Sequence, residues 1–449
     1  METAIIVLAA GMGKRMDSDL PKVLHEIAGA PLITHVLNTV KNLEPQKIVI
    51  VTGHGATEVE NKVTQFEPDV TFVKQKIQKG TGHAVNCARS HLKDFKGSTL
   101  IVYGDVPFIT ADTYADILAM KEKNTDMVVL SFNSENPNNY GRLIVDNGEL
   151  IRIIEAKDAN IDELNIKLCN SGVICVDNDL LFDLLNKITN KNANEEYYLT
   201  DIVALAYAQN YSIKTVICEE PETLGINTRL ELSHAEKVFQ EKIRKLAVEN
   251  GATLIQPETI YFSFDTEIGR DVYIGPNVVF GPGVTVESGA KILPFCHLEG
   301  CHISQGSQVG PFARLRPGTE LSENVRIGNF VEVKNSIVSQ GSKVNHLSYI
   351  GDTSIGENSN IGAGTITCNY DGANKHRTKI GDEVFLGSNT LLVAPVTVGN
   401  QSMTATGTIV TKDIPQGDLA IGRTKQENKT GYANKLMKLL KSKKKRKDP

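Results

Sequence analysis

The chain has 449 residues, which is enough for two or more domains with separate cores. Its net charge is −5, but residues 435–448 carry eight cations and one Asp, so the rest of the chain is near −12. That charge argues against a body built to bind nucleic acid. The early apolar run, residues 4–10, is too short to span a bilayer, and no charged signal region precedes it. Seven Cys without any CxxC pair favour a reducing, cytoplasmic setting.

Residues 1–228 alternate between short apolar runs and segments with helical spacing. Strands are predicted at 4–10, 47–51, 71–73 and 99–103, and helices at 31–40, 57–63 and 82–92. Buried strands separated by helices predict a parallel α/β sheet with helices on both faces. Ligands in such sheets bind at the carboxyl ends of the strands, so the loops after Ala10, Val73 and Tyr103 are the candidates.

The loop after the first strand, residues 8–16, has the sequence LAAGMGKRM. Its two glycines let backbone N–H groups approach a phosphate, and Lys14, Arg15 and Lys22 supply cations. The spacing is neither GxGxxG nor GxxxxGK[ST], which excludes the dinucleotide-binding and P-loop motifs. We predict a phosphate-binding loop, although such a loop taken alone is often only a tight turn.

Two further loops carry candidate ligand groups. Gly80-Thr81-Gly82 begins a predicted helix, where it is either a binding turn or a flexible start of the helix. Asp105 follows the strand that ends at Tyr103. An Asp there is suited to Mg²⁺, which needs only one or two protein oxygens when phosphates and waters complete its shell. The alternative for Asp105 is a turn or helix-capping role.

Residues 229–250 read as one helix that links two domains. Its apolar residues fall on one face, which is most simply a packing face, and Gly251 ends it. The residues of that face are Leu232, Ala235, Phe239, Ile243 and Leu246.

From 268 to 410 nearly every sixth residue is aliphatic, with a one-residue slip at some points. The first registers are Ile268, Ile274, Phe280, Val286, Ile292 and Leu298, then Ile303, Val309, Leu315, Leu321, Ile327 and Val333. A period of six fits neither a helix nor an alternating strand. It predicts a solenoid in which three hexapeptides close one coil and adjacent coils share the core. A sandwich of short strands is the disfavoured alternative.

A polar insertion, residues 368–377, interrupts the period and must leave the wall of the solenoid. Insertions on solenoids often carry the binding face. Polar residues are unusually dense near it: Arg316, Glu332, Lys334, His346, Tyr349, Asn360 and Asn369.

Two other patterns carry less weight. The pairs Cys296-His297 and Cys301-His302 do not have zinc-ligand spacing, so metal binding there is not favoured. The Lys-rich end, residues 435–449, is predicted to be a solvated, disordered tail, with a weak role in binding an anionic partner as the alternative.

The motif L-x-x-G-x-G-x-R-M at residues 8–16, followed by Pro21-Lys22, resembles the sugar-phosphate nucleotidyltransferases, or pyrophosphorylases. The hexapeptide pattern resembles the left-handed β-helix of acyltransferases. Together they resemble the bacterial bifunctional enzymes that acetylate glucosamine 1-phosphate and then uridylate the product. The resemblance implies a Rossmann-like nucleotidyltransferase domain (1–228), a linker helix (229–250), a left-handed parallel β-helix acetyltransferase domain (251–434) and the basic tail (435–449).

The resemblance also implies site residues in the first domain. Arg15 and Lys22 would act on the phosphates, and Asp105 and Asn227 would carry Mg²⁺. The remaining nucleotide- and sugar-binding residues would be Leu8, Ala9, Ala10, Gly11, Gln75, Gly80, Thr81, Gly141, Glu155 and Asn170.

In the second domain an amine must be neutral to attack a thioester, so a base with a pKa near 7 is needed, and His is the natural choice. A lone His is usually structural, but His346 lies in the K-x-x-H-L-x-Y setting in which the resembled family has its base, and Glu332 would orient it. Sugar-phosphate ligands would be Arg316, Lys334, Tyr349 and Asn360. Acetyl-CoA ligands would be Ala363, Asn369, Tyr370, Ser388, Thr406 and Arg423, with Thr406 standing where a smaller residue is expected.

The resemblance implies acetyl-CoA and UTP as co-substrates and Mg²⁺ as cofactor. It also implies that the enzyme acts in the cytoplasm and serves the synthesis of peptidoglycan and the cell wall, which maintains cell shape. A homotrimer is expected, with no nucleic-acid or membrane partner. Two alternatives remain: a catalytic first domain with a solenoid used only for assembly or regulation, and a β-solenoid surface or scaffold protein.

Overall fold

The computed structural model describes residues 2–146 and 148–444. The chain divides into two compact units, one ending at Ile243 and the other beginning at Arg244. Within the described residues, no helix has both the length and the apolar character needed to cross a membrane.

The first unit alternates strands and helices, as the sequence predicts. In chain order its elements are β1 Thr3–Ala9, β2 Glu26–Ile27, β3 Ala30–Pro31, α1 Leu32–Lys41, β4 Lys47–Thr52, α2 Ala56–Phe66, β5 Thr71–Lys74, α3 Thr81–Cys87, β6 Ser98–Tyr103, α4 Ala111–Lys121, β7 Met127–Asn133, β8 Arg142–Asp146, β9 Glu149–Ile154, α5 Ile161–Leu164, β10 Leu168–Asp177, α6 Asn178–Leu185, α7 Asp201–Ala208, β11 Ile213–Cys218 and α8 Arg229–Glu249. The last of these runs past the boundary between the units.

The main sheet has the strand order β5-β4-β1-β6-β10-β7-β11, and the β8–β9 hairpin joins it at β10. The predicted parallel arrangement is confirmed for β1, β4, β5 and β6. It is wrong for β10, which is antiparallel to both β6 and β7. Strand β10 is also antiparallel to β8, where Cys169 pairs with Arg142.

Strand β1 shows why the first apolar run is continuous. Ala4, Ile6 and Leu8 pack into the core on one face of the sheet. Ile5 and Val7 pack into the core on the other face. Because both faces are covered, both sets of alternating side chains must be apolar. The strand ends at Ala9, and the loop at residues 10–13 follows it directly.

The second unit is a three-sided parallel β-helix, so the predicted solenoid is confirmed. Among the described residues each face is a parallel sheet. Successive strands of a face are three apart in chain order, except at the two ends of the first face, where they are two apart. The first face contains Thr253–Leu254, Tyr273–Ile274, Lys291–Ile292, Gln308–Val309, Arg326–Asn329, Lys343–His346, Asn360–Ile361, Phe385–Leu386, Met403–Thr404 and Leu419–Ala420. The second contains Glu267–Ile268, Val284–Val286, Cys301–Ile303, Thr319–Leu321, Ile337–Val338, Thr353–Ile355, Thr378–Ile380 and Val396–Val398. The third contains Val279–Phe280, His297–Leu298, Arg314–Leu315, Glu332–Lys334, Tyr349–Gly351, Ile366–Cys368, Leu391–Val393 and Ile409–Val410.

The residues of the six-residue period fill the interior of this β-helix. Ile292, Val309 and Val344 are fully buried, and equivalent residues stack from coil to coil. Most coils advance by 17 or 18 residues, but the coil from Ile361 to Leu386 takes 25. The extra residues form the predicted polar insertion, which leaves the wall between the strands Ile366–Cys368 and Thr378–Ile380.

The end of the chain differs from the prediction. Residues 435–444 belong to a helix, α9 Tyr432–Lys444, whereas a disordered tail was expected. Apolar residues such as Leu436 and Leu440 recur four apart among the lysines, which gives the segment helical spacing despite its charge. Residues 445–449 of the predicted tail lie outside the described part of the chain.

Candidate active sites

The first site is a cavity of about 600 Å³ at the carboxyl ends of β1 and β6. Its walls are the end of β1 and the loop after it, the turn before α3 and the start of that helix, and one or two residues from each of four other segments. The lining residues are Leu8, Ala9, Ala10, Gly11, Met12, Lys22, Val23, Gln75, Gln78, Gly80, Thr81, Ala84, Tyr103, Asp105, Glu196 and Asn227. This is the edge of the sheet at which ligands of α/β proteins bind.

Glycine shapes the loop after β1. Gly13 has a φ of +60°, and a Cβ added there would lie 2.8 Å from the Cβ of Lys22. The backbone of Lys22 can therefore pack against the loop only because residue 13 has no side chain. A Cβ at Gly11 would lie 4.0 Å from the Cε of the same lysine, so its stem runs beside the loop that was predicted to bind phosphate.

Lys22, Asp105 and Asn227 come together from three distant parts of the chain. The ammonium group of Lys22 forms an ion pair with Oδ2 of Asp105. It also donates a hydrogen bond of 3.1 Å to Oδ1 of Asn227. A carboxylate oxygen and an amide oxygen thus converge on one positive charge, which marks a point at which a cation is favourable.

The far wall of this cavity is formed by residues around the start of α3. Gln75 is buried, and its Nε2 donates to the carbonyl oxygen of Gly80 at 3.1 Å. Gly80 has a φ of +98°, and a Cβ there would lie 2.6 Å from the carbonyl oxygen of Tyr197. The side-chain amide of Gln78 donates to the carbonyl oxygen of Ala10 at 2.6 Å. These contacts hold the α3 turn and the β1 loop on opposite sides of the same space.

A second compartment of about 380 Å³ shares Thr81, Tyr103 and Glu196 with the first. Gly141, Glu155 and Asn170 also line it. Since the compartments share residues, they are adjacent.

The polar groups of this compartment are held in place by short contacts. Glu155 accepts a hydrogen bond of 3.1 Å from the hydroxyl of Thr200, and burial raises the pKa of its carboxyl group. Oδ1 of Asn170 accepts from the backbone N–H of Gly172 at 3.1 Å. Burial also raises the pKa of Tyr103, so its phenol remains a neutral donor.

Thirteen of the residues predicted for nucleotide, sugar and metal binding line these two compartments. They are Leu8, Ala9, Ala10, Gly11, Lys22, Gln75, Gly80, Thr81, Asp105, Gly141, Glu155, Asn170 and Asn227. Arg15 does not line either one: it is exposed in the adjacent turn Lys14–Met16. Gln78, Tyr103 and Glu196 also line these compartments and are not among the predicted residues. Of these three, only Tyr103 has a signal in the sequence, because it ends a predicted strand.

The second site is built on the register of the β-helix. On the first face Ile327, Val344, Ile361, Leu386 and Thr404 pair in succession. The residue two positions after each of these therefore occupies the same place on successive coils. We call these residues the corner column: Asn329, His346, Ala363, Ser388 and Thr406.

The corner column places the predicted base in line with three predicted acetyl-CoA residues. Adjacent strands lie about 4.8 Å apart, so His346 and Thr406 are about 14 Å apart along the column. Neighbouring coils are linked by backbone hydrogen bonds, such as 2.7 Å from the N–H of Asn389 to the carbonyl oxygen of Ala363. Arg423 closes the end of the column, since its guanidinium donates to the carbonyl oxygen of Thr406.

His346 is exposed, and its Nδ1 lies 3.0 Å from Oδ1 of Asn329 on the preceding coil. With the amide oxygen accepting, the proton lies on Nδ1 and Nε2 keeps its lone pair. The partner predicted to orient this ring, Glu332, instead forms an ion pair of 2.8 Å with Arg316. The neutral amide of Asn329, which the sequence analysis missed, contacts the imidazole.

A cluster of charges surrounds Asp352 below the insertion. Lys334 lies 3.7 Å from Oδ2 of this carboxylate, and Asn335 and Asn369 donate to its oxygens. Burial raises the pKa of Asp352, but these hydrogen bonds and the ammonium outweigh it and leave the pKa below its usual value. Lys375, from the insertion, lies beside Lys334, which lowers the pKa of Lys375.

Two neighbouring ammonium groups make this cluster suited to an anion. Tyr349 joins it, because its hydroxyl accepts from Nδ2 of Asn369 at 3.5 Å. Asn360 lies on the neighbouring face, paired with Lys343. Tyr370 is exposed on the insertion, where its hydroxyl donates to the carbonyl oxygen of Gly372 at 2.6 Å.

In the pair Cys301-His302, the thiol and the imidazole have separate environments. Cys301 is buried, which raises the pKa of its thiol to about 12. The ring of His302 contacts Glu287 at 2.9 Å and Glu320 at 3.4 Å on adjacent coils.

Family models match both units. A MobA-like NTP transferase domain matches residues 5–165. A model of six bacterial transferase hexapeptide repeats matches residues 265–300, and a GMPPB C-terminal domain matches residues 297–410. The fold and the two sites thus define a transferase that joins a nucleotidyltransferase domain to a hexapeptide-repeat β-helix.

Curated relatives extend this similarity over nearly the whole chain. A protein of Dinoroseobacter shibae is 57% identical over 444 residues, covering 99% of both chains. A protein of Paracoccus denitrificans is 54% identical over 441 residues, covering 98% of both, and one of Ruegeria is 54% identical over 444 residues, covering 99% of both. Each is named bifunctional protein GlmU. The chain belongs to the GlmU family.

Proposed function

We propose that the chain makes UDP-N-acetylglucosamine by two reactions at two sites. The β-helix unit transfers an acetyl group from acetyl-CoA to glucosamine 1-phosphate. The first unit then transfers a uridylyl group from UTP to N-acetylglucosamine 1-phosphate and releases pyrophosphate. Membership of the GlmU family and the two transferase domains support this pair of activities.

The uridylyl transfer rests on one observation above all, the convergence of Lys22, Asp105 and Asn227 in the wall of the first cavity. A phosphate oxygen of the sugar attacks the α-phosphorus of UTP, and the bond to pyrophosphate breaks. No protein nucleophile is required, only alignment and positive charge on the phosphates. Lys22 supplies that charge from beside the glycine loop, and Arg15, exposed in the next turn, extends it outwards.

Asp105 and Asn227 fit a Mg²⁺ site, because they offer two oxygens around a point that already holds a cationic group. Bound there, Mg²⁺ would neutralise phosphate charge and keep the reacting groups aligned. Lys22 would then turn from these oxygens towards the phosphates. The oxygen-only donor set also suits Mg²⁺ better than a softer metal.

The nucleotide and the sugar would divide the two compartments between them. Gln75, Gly80 and Thr81 face the space assigned to the uridine part. Gly141, Glu155 and Asn170 face the space assigned to the sugar. A carboxylate and an amide are suited to hydroxyl and acetamido groups, which both donate and accept hydrogen bonds.

The acetyl transfer rests on the corner column. The amine of glucosamine 1-phosphate attacks the thioester carbonyl carbon, the C–S bond breaks and the thiol of CoA leaves. Nε2 of His346 takes the proton that the amine loses, and Asn329 holds the ring in the tautomer that permits this. Acetyl-CoA would lie along Ala363, Ser388 and Thr406 towards Arg423.

The phosphate of the amino sugar would lie among the cations beside this column. Lys334, Arg316 and Tyr349 are the predicted ligands, with Asn360 on the neighbouring face. Lys375 adds a second ammonium group next to Lys334. Two adjacent cations are most favourable when an anion lies between them, which supports this assignment.

Assembly as a homotrimer in the cytoplasm, in the service of cell-wall synthesis, completes the proposal. The surface beside the corner column supports association of subunits. Phe295, Phe312 and Phe330 stack there with ring centroids 4.8 and 5.3 Å apart. All three side chains are exposed, and a contiguous exposed apolar patch is typical of an interface.

One assay tests the pair of activities. Purified protein is given glucosamine 1-phosphate, acetyl-CoA, UTP and Mg²⁺, and free thiol and pyrophosphate are measured separately. Both products are expected. Pyrophosphate with N-acetylglucosamine 1-phosphate but no thiol with glucosamine 1-phosphate would reduce the chain to a single-reaction enzyme with a structural β-helix.

A further inference from the structure

The helix α9, Tyr432–Lys444, takes no part in either proposed site. Every residue from 421 to 444 is exposed, so nothing in the described structure covers any side of this helix. Residues 424–431 form an exposed connection before it, without strand pairing. The helix is therefore free to contact something outside the β-helix.

The large apolar side chains of α9 lie together. With 3.6 residues per turn, they cover one arc of about 160°. They are Tyr432, Leu436, Met437, Leu439 and Leu440, each between 44% and 56% exposed. Lys435, Lys438 and Lys441 occupy the opposite side of the same helix.

The charge of this segment is of one sign. Residues 428–447 contain nine Lys and Arg and no Asp or Glu, whereas the whole chain carries a net charge of −5. Lys443 and Lys444 lie in the last turn of α9, where cations also interact favourably with the helix dipole.

We infer that α9 binds the surface of a membrane that contains anionic lipids, with its axis parallel to that surface. The apolar arc would enter the boundary between headgroups and acyl chains, while the lysines contact lipid phosphates. Thirteen residues are about 20 Å long, which is too short to span a bilayer. A nucleic acid would match the charge but would leave five large apolar side chains in water.

This inference departs from the expectation of no membrane partner, since the lack of a spanning segment does not bear on a helix that lies on the membrane surface. A helix that lies on a membrane needs an amphipathic pattern and not a long apolar run. The helical conformation of residues 432–444 produces that pattern.

The chain contains no Trp, so a single substitution creates a reporter. The variant Tyr432→Trp places one indole on the apolar arc. Its emission should shift to shorter wavelength with vesicles of phosphatidylcholine and phosphatidylglycerol, and should not change with phosphatidylcholine alone. Raising the salt concentration should weaken the binding, because the attraction between lysines and lipid phosphates is screened.

Two sets of variants test the two halves of the inference by flotation with the same vesicles. Leu436→Glu with Leu440→Glu removes the apolar arc, and Lys435→Glu, Lys438→Glu and Lys441→Glu reverse the charge. Each set should reduce the fraction bound at least tenfold. Both should leave the two transfer reactions unchanged without vesicles, which also shows that the protein is folded.

A matched control makes the same change of charge elsewhere on the surface, with Lys123→Glu, Lys191→Glu and Lys412→Glu. These lysines are exposed and lie outside both sites, and the variant should bind vesicles as the parent does. Equal loss in this control would reduce the effect to net charge and overturn the inference. So would failure of the parent to bind anionic vesicles, binding to RNA that the Leu436 and Leu440 changes leave intact, or loss of oligomeric mass in those variants.

Discussion

Replacing His346 by alanine should abolish acetyl transfer and leave uridylyl transfer intact. The imidazole is the base in the proposed reaction, and a positioned base contributes about 10²–10⁴-fold in rate. Uridylyl transfer should not change, because Lys22, Asp105 and Asn227 belong to the unit that ends at Ile243.

The contact with Asn329 predicts a smaller, separate effect. Asn329→Ala removes one exposed hydrogen bond of 3.0 Å to Nδ1 of His346. Such a bond contributes about 0.5–1.5 kcal/mol, so acetyl transfer should fall by about tenfold or less. The two substitutions together should be no worse than His346→Ala alone, since Asn329 acts only through the ring.

The measurement is the initial rate of free-thiol release from acetyl-CoA, with pyrophosphate release from UTP followed in parallel. His302→Ala serves as the matched control, because this ring contacts Glu287 and lies outside the corner column. Acetyl transfer by His346→Ala within tenfold of the parent would refute the assignment of the base. Equal loss in His302→Ala would show that the effect is structural.

Three further predictions concern the first site and the charge cluster. Asp105→Ala should abolish pyrophosphate release while thiol release continues, and full uridylyl transfer in that variant would reject the metal assignment. Gly172→Ala should destabilise the protein by about 1–3 kcal/mol, because φ is +92° and the new Cβ would lie 2.7 Å from the ring of Tyr103. Thermal unfolding measures this, and Gly148→Ala, with φ +82° and nothing within 4 Å, separates the clash from the backbone strain. The folded-state pKa of Asp352 is lowered, so its carboxylate stabilises the fold above its unfolded pKa of about 3.9, and that stability is lost as pH falls below it. Asp352→Asn lacks this dependence, so the difference in unfolding free energy between parent and variant, measured by urea titration, should narrow below about pH 4; a constant difference would contradict the assignment.

The sequence predicts the β-helix better than the α/β sheet, and the reason is local. Each coil requires an apolar residue at its inward positions, so residues such as Ile292, Val309 and Val344 make the six-residue period visible in the sequence. Strand β10 has no comparable repeating pattern in the sequence. Its apolar run does not indicate in which direction it pairs with β6 and β7.

The site residues that were not predicted also differ in whether the local sequence indicates them. Lys375 meets Lys334 only because the insertion folds back, and nothing in the spacing indicates that contact. Asn329, however, could have been found: it lies 17 residues before His346, which is one coil of the solenoid. Glu196 reaches the first cavity from a loop that has no recognisable motif.

The long coil from Ile361 to Leu386 shows how this scaffold acquires new surfaces. It is seven or eight residues longer than its neighbours, yet Ala363 and Ser388 still occupy the corner column on either side of the added segment. The extra residues leave the β-helix at one edge, and the side chains on the coils before and after them keep their positions in the corner column. A β-helix of this kind can therefore gain insertions at its edges, one at a time, without displacing the residues of the corner column.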